Sequence, residues 1–128
     1  MIEIKEVKGR RMLKQFIDFP TKLYKDCPYF TPYLYEDEIN NLTPKKNPAF
    51  SYCDFKLFLA YQDKKIVGRI CGIINHFANN KYNQKRVRFN RIDMIDDIEV
   101  TKALIHAVEE FGLAYVQMVR ALRMTPAQ

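Results

Sequence analysis

KLFLAYQDKKIVGRICGIIN, residues Lys56–Asn75, is the stretch on which the fold turns. Two runs rich in Leu, Phe, Ile and Val flank a short polar turn at Asp63-Lys64-Lys65. That pattern predicts a β-hairpin with arms near Leu57–Tyr61 and Ile66–Asn75. Gly68 and Gly72 interrupt the second arm, where a missing side chain signals a bulge or a close backbone approach.

Working outward toward the N-terminus, Ile2 and Ile4 alternate with charged residues within Met1–Val7, as in a strand with one face buried. Between Arg10 and Asp26 the apolar residues Met12, Leu13, Phe16, Ile17, Leu23 and Tyr24 fall at helical spacing, with Pro20 among them. Proline removes a backbone donor and clashes with the preceding turn, so the pattern predicts two short helices or one kinked helix joined near Phe19-Pro20. Residues 27–55 hold Pro28, Pro32, Pro44 and Pro48 together with Tyr29, Phe30, Tyr33, Tyr35, Phe50 and Tyr52. Such a segment suits neither a long helix nor a central strand, and it is too aromatic for a disordered linker. It is expected to wrap the core as an ordered excursion, with a short helix near Glu36–Leu42; its aromatics either line a ligand cleft or, the preferred reading, fill gaps under a long loop.

Toward the C-terminus, a polar loop is expected over His76–Arg86, then a strand near Val87–Met94. Asp96, with Glu99 three residues on, fits a capping box opening a helix. Val100, Leu104, Ala107, Val108 and Phe111 share one face of that helix, and Gly112 stands where it would stop. Tyr115–Val119 fits a strand or a helical continuation, and Thr125–Gln128 is expected to fray. Hairpin-linked strands between helices imply an α+β fold whose sheet is mostly antiparallel.

Composition narrows the class. The chain has 128 residues, 48% apolar and 28% charged, enough for one small domain with its own core. No run approaches the ~20 apolar residues that span a bilayer, and the N-terminus lacks a signal-peptide pattern. Cys27, Cys53 and Cys71 form no CxxC pair, so a reduced cytoplasmic setting is expected, with neither a disulfide framework nor a metal site. The net charge of +6 is concentrated at Lys81, Lys85, Arg86, Arg88 and Arg91, interleaved with Tyr82 and Phe89. One reading is a basic module at Lys81–Arg91 for nucleic acid or an acidic partner. The preferred one is a solvated loop leading into the outer face of a strand, since no nucleic-acid signature accompanies the charge.

Spacing alone assigns no catalytic residue. His76 and His106 have no neighbours completing a metal pattern and are read as surface histidines, His106 at the solvent edge of the main helix. Asp93, Asp96, Asp97 and Glu99 could form an acid/base or cation group, but helix capping accounts for Asp96 and Glu99 more simply. Cys71 on an apolar strand is read as a core residue. There is no P-loop and no Rossmann fingerprint.

The order of pieces is similar to the front half of the GNAT (N-acetyltransferase) superfamily, and closest to a branch of longer, uncharacterised bacterial proteins. The resemblance rests on Lys14-Gln15-Phe16-Ile17-Asp18-Phe19-Pro20, Leu23-Tyr24-Lys25-Asp26, Pro44-Lys45-Lys46-Asn47-Pro48 and Leu57-Phe58-Leu59-Ala60-Tyr61. Val67-Gly68-Arg69-Ile70, Ile74-Asn75-His76 and Ile95-Asp96-Asp97-Ile98-Glu99-Val100 complete it. It covers about residues 1–112 and implies acyl transfer from acetyl-CoA or another acyl-CoA to an amine acceptor. In GNAT enzymes the fourth strand offers backbone groups to the pantetheine arm, and the following loop and helix start hold the pyrophosphate. By position these are Arg91–Ile95 and Asp96–Val100, so the resemblance places cofactor binding at Ile92, Asp93, Met94, Ile95, Asp96 and Asp97. The chain departs from the family there: a Gln/Arg-x-x-Gly-x-Gly/Ala motif is replaced by Met94-Ile95-Asp96-Asp97-Ile98-Glu99, three carboxylates and no glycine.

Residues 113–128 are read as an atypical tail. Arg120-Ala121-Leu122-Arg123 stands about where Gly-Pro-Leu-Gly is expected in the longer proteins, and codons such as AGG-GCC-CTT-AGG give that tetrapeptide when read one base later. Met124-Thr125 in the same shifted frame reads as a stop, so a single shift is not the whole account. The expectation is a truncated form lacking the other wall of the cofactor cleft, inactive by itself and able to self-associate through an unfinished sheet edge.

Overall fold

Asp63 and Lys64 both take left-handed backbone, with φ of 53° and 66°. Gln62 pairs directly with Lys65 across them. This is the geometry of a two-residue hairpin turn, whose twist matches that of the strands it joins. The turn sits within the predicted Asp63-Lys64-Lys65, and the arms are longer than the hydrophobic pattern implied: β2 spans Cys53–Gln62 and β3 spans Lys65–Asn75. The last residues of the 27–55 segment therefore belong to a central strand.

A computed structural model describes residues 1–31, 35–82 and 85–124, with side chains through residue 121. The expected fraying of Thr125–Gln128 lies outside the described residues. Around the hairpin, β1 (Ile2–Glu6) pairs antiparallel with β2, and β4 (Arg88–Met94) pairs antiparallel with β3. The sheet order is β1-β2-β3-β4. The helices are α1 (Gly9–Leu23), α2 (Tyr35–Asn41), α3 (His76–Lys81) and α4 (Ile98–Met124), with a 3-10 turn at Pro48–Ser51. The architecture is α+β, a four-stranded antiparallel sheet flanked by helices, as the sequence implied. Among the described residues no helix is long and apolar enough to cross a membrane.

Strand alternation sorts the central strands into two cores. Phe58, Ala60 and Ile70 pack against Val100, Leu104, Ala107 and Val108 of α4. Leu59 and Cys71 face the other way, against Phe16 and Ile17 of α1 and Leu42 just beyond α2. Gly68 and Gly72 explain how α4 comes so close. A Cβ on Gly68 would lie 3.0 Å from Leu104 and Val100, and one on Gly72 would lie 2.9 Å from the Phe111 ring. Both signals read from those glycines are realised, because the β2–β3 register also shifts beside Gly68.

Of the two readings of α1 the single helix holds, and it continues through Pro20. Three expectations need correction. The stretch expected to be loop from His76 holds α3, which Asn75 caps by accepting from the Ala78 N–H at 2.8 Å. The N-cap interaction of α4 comes from Asp97, not Asp96: its Oδ1 accepts from the Glu99 N–H at 2.9 Å, and its carbonyl accepts from Val100 and Thr101. Gly112 does not stop α4, which runs to Met124 and makes the tail a helical continuation. Gly112 serves packing instead, since a Cβ there would lie 2.8 Å from Val87.

Candidate functional site

Ile92, Asp93, Met94, Ile95, Asp96 and Asp97 form one continuous path, from β4 to the first turn of α4. Their side chains diverge. Ile92, Met94 and Ile95 pack into the α4 core. Asp93 points to the opposite face, Asp96 is exposed, and Asp97 is spent on the helix cap. What these residues share is therefore backbone. The Ile95 N–H extends the ladder by donating to the Val67 carbonyl at 2.9 Å. Beside them an open groove of about 320 Å³ runs along Met94–Ile98 and Thr101. β4 is the outer strand of the sheet and pairs with no strand other than β3 among the described residues.

The strand is also distorted at this point. Arg69 pairs with Asp93 and Cys71 with Asn90, so β4 carries one extra residue between them. Arg91, at φ 49°, is left-handed at this bulge. A bulge re-aims a side chain. Arg91, expected among the outward cations, turns to the α2 face and meets Glu38 through two hydrogen bonds of 2.9 and 3.1 Å. Glu38 is itself buried. Burial alone would raise its carboxyl, but the hydrogen bonds and charge of Arg91 outweigh this and hold it below its ordinary range.

Next to this pair lies a second ionic group. Arg69 is 1% exposed, in the middle of an apolar strand. Its Nε donates to Asp93 Oδ2 at 2.9 Å and its Nη1 donates to the Phe16 carbonyl at 2.9 Å. Its guanidinium also lies 4.8 Å from the centre of the Phe16 ring. The Phe16 carbonyl is available because its usual helical donor would be residue 20, a proline without an N–H. Tyr24 completes the group, donating its hydroxyl to Asp93 Oδ1 at 2.8 Å. Burial, then the hydrogen bond to Asp93 and its negative charge, push the Tyr24 hydroxyl up to about 12, so it remains a neutral donor. Burial pulls Arg69 below its ordinary value, and Asp93 offsets part of that.

No protein-family model matches this chain, and no solved structure matches it. Curated relatives do. One is Protein YghO of Escherichia coli (strain K12), 36% identical over 97 residues, which are 76% of this chain and 25% of that protein. Another is Bacterial ceramide synthase of Caulobacter vibrioides (strain NA1000 / CB15N), 35% identical over 107 residues, 82% of this chain and 28% of that protein. The chain spans about a quarter of the length of these relatives. A contiguous match covering 82% of the chain necessarily takes in residues 92–97.

The histidines and Cys71 stand apart from this path. His106 is exposed and pairs with Glu110 one turn on, at the solvent edge where it was expected. His76 opens α3 and meets Asp54 at 2.9 Å. Cys71 is fully buried, and burial pushes its thiol up to about 11, which suits a core side chain and not a nucleophile. The Arg69–Asp93–Tyr24 and Glu38–Arg91 groups were not foreseen. Two signals were available: Arg69 is the one charge between Ile66 and Ile74, and Pro20 implied an unfilled carbonyl at Phe16.

Proposed function

We propose that this chain is the donor-binding part of an acyltransferase that moves an acyl group from a thioester, an acyl-CoA, to an amine. The observation that carries this reading is the 35% identity to a protein named for ceramide synthesis, across a stretch that includes the β4–α4 path. A ceramide is an amide of a fatty acid and an amino alcohol. Forming one from a thioester makes a C–N bond, breaks a C–S bond, expels the thiolate and takes a proton from the amine. The pantetheine arm of an acyl-CoA is an extended chain with two amides. Such a chain can pair with the edge of a sheet as an added strand does, and β4 is the outer strand of this one.

The acidic α4 start bears on affinity. Asp97 already occupies the Glu99 N–H, and Asp96 adds an exposed negative charge. Both disfavour phosphates at a helix end that would otherwise attract them. Asp96→Lys should therefore tighten dodecanoyl-CoA binding about three- to tenfold at low salt, with the gain shrinking as salt screens it. Isothermal titration of the two proteins measures this. Absence of saturable acyl-CoA binding to both would sink the reading.

A further inference from the structure

At the hairpin end of the sheet, α1 and the β2–β3 turn enclose a groove of about 550 Å³. Its floor is apolar, made by Phe19, Leu23, Ile66 and Ile95. Lys22, Lys25, Lys64 and Lys65 stand around it, and no acidic side chain among the described residues lines it. Four lysines elsewhere, Lys5, Lys8, Lys56 and Lys102, each lie within 3.7 Å of a carboxylate, whereas Lys14, Lys45, Lys46, Lys81 and Lys85 form no ion pair among the described residues. Among the described residues none of the four groove lysines forms an ion pair, although Asp26 and Asp63 are their near neighbours in sequence. Four exposed ammonium groups converge from two elements on one apolar floor. The left-handed pair Asp63-Lys64 fixes the turn that presents two of them.

We infer that this groove binds an amphipathic anion, its phosphate or carboxylate held by Lys22, Lys25, Lys64 and Lys65 and its apolar segment lying on Phe19, Leu23 and Ile66. The volume is that of an ordinary small-molecule site. Four cations without an ion pair among the described residues supply the complementary charge, and the apolar floor distinguishes the ligand from a bare anion. Such a ligand can be a free lipid anion or the acyl-CoA of the reading above. The inference goes beyond that reading, because it requires no acyl transfer.

Titration with dodecyl phosphate and, separately, dodecanoyl-CoA distinguishes the two sources. The inference expects Lys64→Glu/Lys65→Glu to weaken at least one of them tenfold or more. Inorganic phosphate and a neutral dodecyl glycoside should each bind far more weakly than dodecyl phosphate if the lipid anion is the ligand. Lys81→Glu/Lys85→Glu, at the other end of β3, is the control and should leave affinity unchanged. Both double variants change only exposed side chains, and the unliganded melting temperature checks their folding. If the hairpin variant binds both probes like the wild type, or if the control variant weakens binding equally, the groove is not the site. Inorganic phosphate matching both amphipathic probes would likewise overturn the role of the apolar floor. A lysine-dependent dodecyl phosphate site without acyl-CoA binding keeps the groove and removes the donor reading. The reverse pattern, a gain from Asp96→Lys with an inert hairpin variant, removes the groove alone.

Discussion

Arg69 is almost sealed from water, and each of its contacts originates in a different part of the chain: Phe16 in α1, Asp93 in β4, and through Asp93 the hydroxyl of Tyr24. A buried cation is tolerated only when its donors are met, and removal of one partner is far costlier than removal of the whole pair. Asp93→Ala should therefore destabilise the protein by about 3 kcal/mol, read as a shift of the urea midpoint. The double replacement Arg69→Met/Asp93→Leu should recover most of that loss. Equal losses in the single and double variants would show that packing alone, and not the stranded charge, sets the cost. The position of Arg69 in an apolar strand was legible in the sequence. Its partners were not, because they lie 24 and 53 residues away and only the fold aligns them.

Between elements, the contact of α4 with β3 depends on the absence of side chains at Gly68 and Gly72. The helix residues Val100 and Leu104 lie over the first glycine, and Val108 and Phe111 over the second. Gly72→Ala would set a methyl 2.9 Å from the Phe111 ring, a rigid neighbour that cannot simply swing aside. We expect a loss of about 1–3 kcal/mol by chemical denaturation, as for overpacked cores. Wild-type stability would mean that α4 can shift off β3 at no cost. Helical periodicity in Val100–Phe111 identified the buried face of α4 correctly. Its end was misjudged because Gly112 signals both a helix stop and a close approach, and the distinction lies in Val87, a residue remote in sequence.

Across the whole molecule, the α1/α2 side of the sheet holds the two buried arginine–carboxylate groups, and the α4 side has an apolar core. Stability should therefore respond to pH chiefly through the first side. The Glu38 carboxyl is lowered in the folded state, so its contribution is complete above the unfolded value of about 4.3 and is lost as pH falls through the lower folded value. Glu38→Gln should flatten the acid limb of the stability profile below about pH 4 and lower stability at neutral pH. Tyr24 acts with the opposite sign. Its folded value is raised to about 12, so its contribution is present below an ordinary value near 10 and fades as pH rises through the folded value. Tyr24→Phe should remove that alkaline component. Denaturant midpoints measured from pH 2 to 12 would test both, and identical acid limbs for wild type and Glu38→Gln would contradict the first.

The sequence by itself determined the α+β class, the hairpin, the buried faces of β1 and of α4, and the core role of Cys71. All of these follow from local periodicity and turn chemistry, which act over a few residues. Only the tertiary structure decided that Pro20 lies within a helix, that Arg91 turns inward at a bulge, and which carboxylate each buried arginine meets. It also decided that lysines from α1 and from the hairpin surround one groove. These outcomes depend on the register of β3 against β4 and the placement of α1 over the sheet. Such relations join residues distant in sequence, where local spacing carries no signal.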